Sequence, residues 1–434
     1  MLRKLVSFLL CLCLFLSLSP TVRGTEAMAE NISNVSLISG YEGFKHRQSL
    51  FDGDLAAAYP VKEEASLTLT YEGGIGSVYI LFDKPCGEYT VTNEATGEEA
   101  ALGKYGYLHD FTDLTALFGG APASVTLRFP EGCAIAELFV FGPGETPDFV
   151  QKWEPPVEGK ADLVLFSTHG DDEQLFFAGI LPYYAGELEL NVQVVYLTGH
   201  QNSYPNRMRE MLNGLYAVGV RAYPVFGPFP DQLSMTKADA YQQFANKGYS
   251  REILLEFVVE NLRRFRPLVA IGHDIRGEYG HGQHRVYADL LIEAVQIAAD
   301  PSRFPYSAGR YGLWDTPKTY LHLYKENPIV LDWDRPLSKF GGMTAFEVTR
   351  DLGFPCHVSQ YYDFLWYLTQ ARTAAAMWKY SPCKYGLFRS TVGEDVEKNE
   401  FFENLEGFRR PPILRKKPLL PPLPGAADRN SLWN

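Results

Sequence analysis

Cysteine is sparse in this chain, six residues in 434, and none sits in C-x-x-C spacing. That argues against a metal or redox centre built on thiols. The pattern G-x-G-x-x-G is missing, so no dinucleotide cofactor is indicated, and no G-x-S-x-G elbow supplies a nucleophilic serine. Base is in deficit as well. Lys and Arg number 40 against 52 Asp and Glu, a formal charge of −12, which disfavours nucleic acid or an anionic membrane as the main partner. Beyond the N-terminus no apolar run approaches the roughly 20 residues that a membrane-spanning helix needs. Apolar and aromatic residues are plentiful, 46% and 14% of the chain. They suffice for a sizeable core, and the length suggests two domains.

The first residues have the layout of a secretory signal peptide. Arg3 and Lys4 precede the apolar run Leu5 to Leu18, and the small-residue site Ala27-Met28-Ala29 closes it before Glu30. Residues 1–29 are therefore expected to be removed, leaving a secreted, extracellular or cell-envelope protein with no transmembrane segment. Arg3, Lys4 and Arg23 lie in this leader, so cleavage deepens the acidic excess. Cys11 and Cys13 would leave with it. Cys86, Cys133, Cys356 and Cys383 remain, one pair in each half, and an oxidising compartment would allow the bridges Cys86–Cys133 and Cys356–Cys383. Asn31 and Asn34 stand in N-x-S sequons.

Two textures follow. From 30 to 145 short bursts such as ASLTLTY, SVYILFD and ASVTLRFP alternate apolar and polar residues. Val125, Leu127 and Phe129 point one way while Ser124, Thr126 and Arg128 point the other, which is the period of half-buried strands and predicts an all-β sandwich or jelly roll. Residues 146–160, rich in Pro and charge, read as a linker. Beyond it the fully apolar runs LVLFST, VQVVYLT and LVAIGH alternate with helical stretches near 206–218, 250–264 and 285–299. That pattern predicts an α/β domain over 161–408, a Rossmann-like open parallel sheet with helices on both faces. Residues 409–434 form a basic, Pro-rich tail read as extended.

Chemistry concentrates at two strand ends. Thr168-His169-Gly170-Asp171-Asp172-Glu173 follows the first apolar run. Imidazole and carboxylate both ligate zinc, and His169 with Asp172 can supply two of the three protein ligands a catalytic site needs. Acids in this position also serve as helix caps, so the motif alone decides little. The second cluster weighs more: His273, His281 and His284, three of nine histidines, fall within twelve positions after LVAIGH. His281 and His284, at i and i+3 where a helix opens, share a face.

At these residues the chain resembles the N-acetylglucosaminylphosphatidylinositol deacetylase (LmbE-like) family. The family's HPDDE and GHxxH motifs stand here as HGDDE (169–173) and as GHGQH within EYGHGQH (278–284). An R-x-x-E helix, Arg207 to Glu210, lies between them and runs into AVGV. The resemblance covers about 160–325. It implies a zinc-dependent N-deacetylase, another divalent transition metal being an alternative. It carries His169, Asp172 and His284 as metal ligands and Asp171 as general base. His281 would stabilise the oxyanion or protonate the leaving group, and Arg207, Tyr279 and Asp231 would contact substrate. Gly170 and Gly282 stand where the family has proline, and Gln283 where it has an acid. The β-rich half is similar to galactose-binding-like carbohydrate modules in phrases such as LFDGD and IGSVYILFD. The expected substrate is an N-acetylated sugar or glycan. The competing readings are an amidase for a non-sugar N-acyl compound and a non-catalytic glycan-binding protein, the last disfavoured because binding alone would not need Asp171 beside the ligands. His322 is given no role, and His357 is read as structural.

Overall fold

The computed structural model describes residues 27–405 except 35, 40–46, 56 and 201–206. Most of the predicted leader, with Cys11 and Cys13, and the Pro-rich tail therefore lie outside the described residues. Among the described residues no helix is long and apolar enough to cross a membrane.

The alternating bursts of the first half pair as antiparallel strands. In chain order they are β1 (Leu37–Ser39), β2 (Tyr59–Val61), β3 (Ala65–Thr70), β4 (Ser77–Phe82), β5 (Tyr89–Asn93), β6 (Glu99–Leu102), β7 (His109–Asp113), β8 (Ser124–Phe129) and β9 (Cys133–Phe141). They form a five-stranded sheet β1-β3-β8-β5-β6 and a four-stranded sheet β2-β9-β4-β7. Leu67 sits opposite Leu127 in the register of β3 and β8, and Val125, Leu127 and Phe129 are buried as the alternation predicts. Strand β4 is buried on both faces. Val78, Ile80 and Phe82 join the large apolar cluster, while Tyr79 and Leu81 turn the other way and meet Ala136, Phe141 and Val150.

Glu137 of β9 is an acid buried among these strands, accepting a hydrogen bond from Gly53 N at 3.0 Å. Burial pushes its carboxyl up to about 7, against the Gly53 hydrogen bond. A raised folded-state value makes this group's stabilisation complete below the unfolded value near 4.5 and lost as pH climbs through about 7. Glu137→Gln should therefore raise the melting temperature at pH 8 and flatten its fall between pH 5 and 8. Thermal melts across that range measure both, and an unchanged slope would count against the assignment.

The second half is built on β10 (Leu163–Ser167), β11 (Val192–Thr198), β12 (Val225–Phe229), β13 (Val269–Gly272), β14 (Lys318–His322), β15 (Pro328–Val330) and β16 (Lys384–Ser390), in the order β12-β11-β10-β13-β14-β16-β15. The three apolar runs are β10, β11 and β13, and the three expected helices are Arg207–Ala217, Arg251–Phe265 and Gly282–Ile297. Strands alternate residues between two apolar clusters. Leu163 and Leu165 face one, Val164 and Phe166 the other. Both faces are thus covered, which is why the runs show no polar alternation.

The sheet is mixed, not wholly parallel. Strands β12, β11, β10, β13 and β14 are parallel, but β16 runs antiparallel to β14 and β15. A long excursion separates β14 from β16, and the chain returns along the edge that β14 would otherwise leave unpaired.

Neither expected disulfide is formed: the four described cysteines are thiols. Cys133 hydrogen-bonds to Cys86, so this pair is adjacent without being joined. Cys356 Sγ instead donates to Leu352 O at 3.3 Å, and Cys383 is buried in a separate segment that leads into β16.

Candidate active site

Chain order reverses at β10: β11 and β12 lie on one side, β13 and β14 on the other. Such a reversal opens a crevice at the carboxyl ends of the two central strands. His169 follows β10 and His273 follows β13, so both motifs open onto that crevice.

The turn after β10 is fixed by its own residues. Asp172 Oδ2 accepts the backbone N–H of His169 at 2.8 Å, and the short helix Asp172–Leu175 begins there. Asp171 occupies the N-cap position but its side chain makes no cap hydrogen bond. The capping explanation for these acids therefore fails for Asp171. The two glycines that replace prolines are sites of close approach. A Cβ on Gly170 would run into Met211, and one on Gly282 would run into Ser234 and Thr236.

Three candidate ligand atoms form a nearly equilateral triangle. His169 Nδ1 is 3.2 Å from Asp172 Oδ2 and 3.1 Å from His284 Nε2, and the third side, His284 Nε2 to Asp172 Oδ2, is 3.2 Å. Zinc with ligands at about 2.0–2.1 Å in a tetrahedron separates neighbouring ligand atoms by roughly 3.3 Å. The outer ring nitrogens are consistent with this. His284 Nδ1 lies 2.8 Å from Glu278 Oε2 and His169 Nε2 lies 2.9 Å from Gln283 Oε1, both acceptors. Each ring therefore carries its proton on the outside and turns a lone pair into the triangle. Gln283, standing where the family has an acid, does this through its amide oxygen, while its Nε2 donates to Pro230 O at 2.9 Å. Two groups of buried donors that share His284, His169–His281–His284 and Asp172–His273–His284, are close enough to hold a metal ion. His273 Nε2 is already the acceptor for Thr168 N at 3.0 Å, which leaves it outside the ligand set.

Electrostatics point the same way. Burial alone would push Asp172 up and His284 down. Instead His284 and His169 hold Asp172 well below the ordinary range, while Asp172 and Glu278 raise His284 to about 10. Asp171 is different: burial first and Asp172 second push it up to about 6, against Arg207, His357 and His169. The Arg207 guanidinium lies 3.8 Å from Asp171 Oδ2.

His281 caps the helix Gly282–Ile297 by accepting Gln283 N at Nδ1, 3.3 Å. Burial and the neighbouring His169 and His284 push it down to about 3, so the ring is neutral and carries its proton on Nε2. Its ring centroid is 4.7 Å from that of His169, edge to face. Tyr279 is held in the left-handed region at φ 45° between Gly277 and Gly280, with its ring 5.5 Å from His284. Arg207 donates to Gly170 O at 3.2 Å and to Asp231 Oδ2 at 3.4 Å. Asp231 Oδ1 in turn lies 3.5 Å from His169 Nε2. All eight residues singled out in the sequence thus gather at one crevice, Asp231 at its more exposed rim.

Sequence reasoning gave no role to Glu278, His273, His322 or Gln283. The signal available was density: Glu278 and Gln283 lie inside the histidine-rich loop itself. His357, read as structural, pairs with Glu173 at 2.9 Å, both fully buried behind the DDE turn. The R-x-x-E turn also serves more than the crevice. Arg209 reaches Asp83 at 3.1 Å in the β-rich half, and Glu210 accepts both the N–H and the hydroxyl of Ser359.

No family model matches the chain. Among curated proteins, 1D-myo-inositol 2-acetamido-2-deoxy-alpha-D-glucopyranoside deacetylase 1 of Catenulispora acidiphila is 24% identical over 215 residues, 44% of this chain and 65% of that one. The corresponding deacetylase 2 of Saccharopolyspora erythraea is 37% identical over 82 residues, 19% of this chain and 28% of that one. The chain spans less than two thirds of either relative. The solved N,N'-diacetylchitobiose deacetylase from Pyrococcus horikoshii aligns over 49% of this chain and 74% of its own, with 18% identity and a TM-score of 0.34.

Proposed function

We propose that this chain is a secreted, metal-dependent N-deacetylase of the LmbE-like type. It would hydrolyse the acetamide of an N-acetylated sugar or glycoconjugate. The observation that carries the reading is the triangle of inward lone pairs on His169, Asp172 and His284, beside a buried carboxylate that neither caps nor ligates. The sequence relatives, both named as deacetylases of an acetamido sugar, support the substrate class. Secretion rests on the leader signature, and a carbohydrate-binding role for the two N-terminal sheets rests on their resemblance to galactose-binding-like modules.

A divalent ion such as zinc, held by the three ligands, would polarise the acetyl carbonyl and acidify the attacking water. Asp171, buried and raised towards neutrality, accepts the proton of that water. His281, neutral and carrying hydrogen on Nε2, donates to the oxygen on which negative charge develops. Protonated Asp171 then returns its proton to the departing amine nitrogen, leaving acetate and a free amine. Arg207 holds Asp171 from one side and Asp231 from the other, and Asp231 and Tyr279 offer polar groups to sugar hydroxyls at the rim.

The test is to purify the protein, measure bound metal, and assay acetate and free amine released from a panel of N-acetyl sugars. Stoichiometric metal with release from at least one sugar is the expected result. A metal-binding protein that cleaves only non-sugar amides would overturn the substrate class, and one that binds no metal would overturn the site.

A further inference from the structure

Glu278 is a carboxylate with no exposure to solvent, surrounded by histidines that are equally buried. Its Oε2 lies 2.8 Å from both His273 Nδ1 and His284 Nδ1. Its Oε1 lies 2.7 Å from His322 Nδ1 and accepts the backbone N–H of Asp274 at 3.1 Å. These partners come from three places: the end of β13, the start of the helix Gly282–Ile297, and the end of β14. One side chain therefore ties together the loop, the helix and the strand that frame the crevice.

The proton positions follow from the outer partners. His273 Nε2 accepts from Thr168 N, so its single proton sits on Nδ1 and points at Glu278. His322 differs, because its Nε2 lies 3.0 Å from Ser381 O. A carbonyl only accepts, so His322 carries hydrogen on Nε2, while its Nδ1 faces a carboxylate oxygen that also accepts. Glu278 thus meets three imidazoles and one backbone N–H, with His273 and His284 sharing its Oε2 and His322 and Asp274 N at its Oε1.

Resting on the metal-site reading above, we infer that Glu278 is the positioning residue for His284. It accepts at His284 Nδ1 and so fixes the tautomer that turns Nε2 into the ligand triangle, while His322 and Asp274 N hold its other oxygen in place. Glu278 touches neither substrate nor the three ligand atoms. It acts through the ring of His284, as hydrogen-bonded carboxylates do behind metal-bound histidines.

Two measurements on the full chain test this. In the protein labelled with 15N-histidine, long-range proton–nitrogen spectra should show His273 carrying its hydrogen on Nδ1, and His284 carrying its hydrogen on Nδ1 once zinc is bound. The His273→Gln variant assigns its signal by its loss. In Glu278→Gln one carboxylate oxygen becomes an NH2 that must face either the N–H groups of His273 and His284 or the backbone N–H of Asp274. Zinc affinity should then fall about 10–100-fold, with far-ultraviolet circular dichroism unchanged. Wild-type zinc affinity in a folded Glu278→Gln, or a zinc-loaded His284 with its hydrogen on Nε2, would overturn the inference. If Glu278→Gln does not fold, the nitrogen spectra of the unaltered chain decide. If the unaltered chain binds no zinc, the functional reading fails on its own while the spectra still test the Glu278–His273 contact.

Discussion

Asp171→Asn should lower the turnover of the proposed deacetylation by roughly 10²–10⁴-fold, the range associated with loss of a positioned general base, while bound metal stays at the wild-type level. The split between the two readouts is the point. Asp171 and Asp172 are neighbours in sequence and both buried, yet the hydrogen-bond geometry separates them. Asp172 Oδ2 is engaged by His169 N, His169 Nδ1 and His284 Nε2. Asp171 makes no cap bond and has the Arg207 guanidinium as its nearest opposite charge. An isosteric amide preserves packing and the Arg207 neighbourhood but cannot accept a proton. Loss of metal in this variant would assign Asp171 to the ligand set and remove it as base. The pH profile has a defined sign. Asp171 works deprotonated and burial pushes it up to about 6, and a nearby cation favours the carboxylate further. Activity should therefore rise with pH along an acidic limb at or below about 6 and level off above it.

His284→Ala should abolish both stoichiometric metal and activity, because it removes a corner of the triangle and leaves only His169 and Asp172. A stability readout makes the loss measurable without substrate. Zinc at 100 times its dissociation constant stabilises a protein that binds it only when folded by about 2.7 kcal/mol. Zinc should accordingly raise the melting temperature of the wild-type protein and leave that of His284→Ala unchanged. Chelation should remove activity from the wild type, and added zinc should restore it. A His284→Ala protein whose melting temperature still responds to zinc would place the metal elsewhere.

Much of this site was legible because its chemistry is local. His169, Asp171 and Asp172 share one turn, and Tyr279, His281 and His284 share one loop, so spacing alone grouped them into two clusters. The strands that carry them were legible too, since β10, β11 and β13 are apolar on both faces and bounded by helices with clear periodicity. Burial contacts distant in sequence were not legible. His322 reaches Glu278 across 44 residues and His357 reaches Glu173 across nearly 200, and a single histidine in a mixed segment carries no periodic signal. Strand β16 was hidden for a related reason: KYGLFRS is short, and only its antiparallel pairing with β14 defines it. The disulfide expectation went wrong because even parity and compartment say which bridges are allowed, not which sulfur atoms meet.

The helical turn that holds Arg207 at the crevice also ties the two halves of the chain together. Arg209, two residues on, bonds to Leu55 O and Asp83. Farther along the same helix Tyr216 packs on Trp153, which also meets Tyr223, and Tyr223 stacks on Tyr107 at 4.4 Å. The apolar cluster runs without interruption from Ile32 to Leu405. A truncated chain beginning at Ala161 would bare these aromatic faces, each large apolar side chain losing about 1.5–3 kcal/mol of burial, and would release the anchor beside Arg207. The N-terminal sheets are therefore not a detachable module that could be shuffled onto other enzymes or trimmed for expression. They also act as the foundation of the half that carries the candidate site.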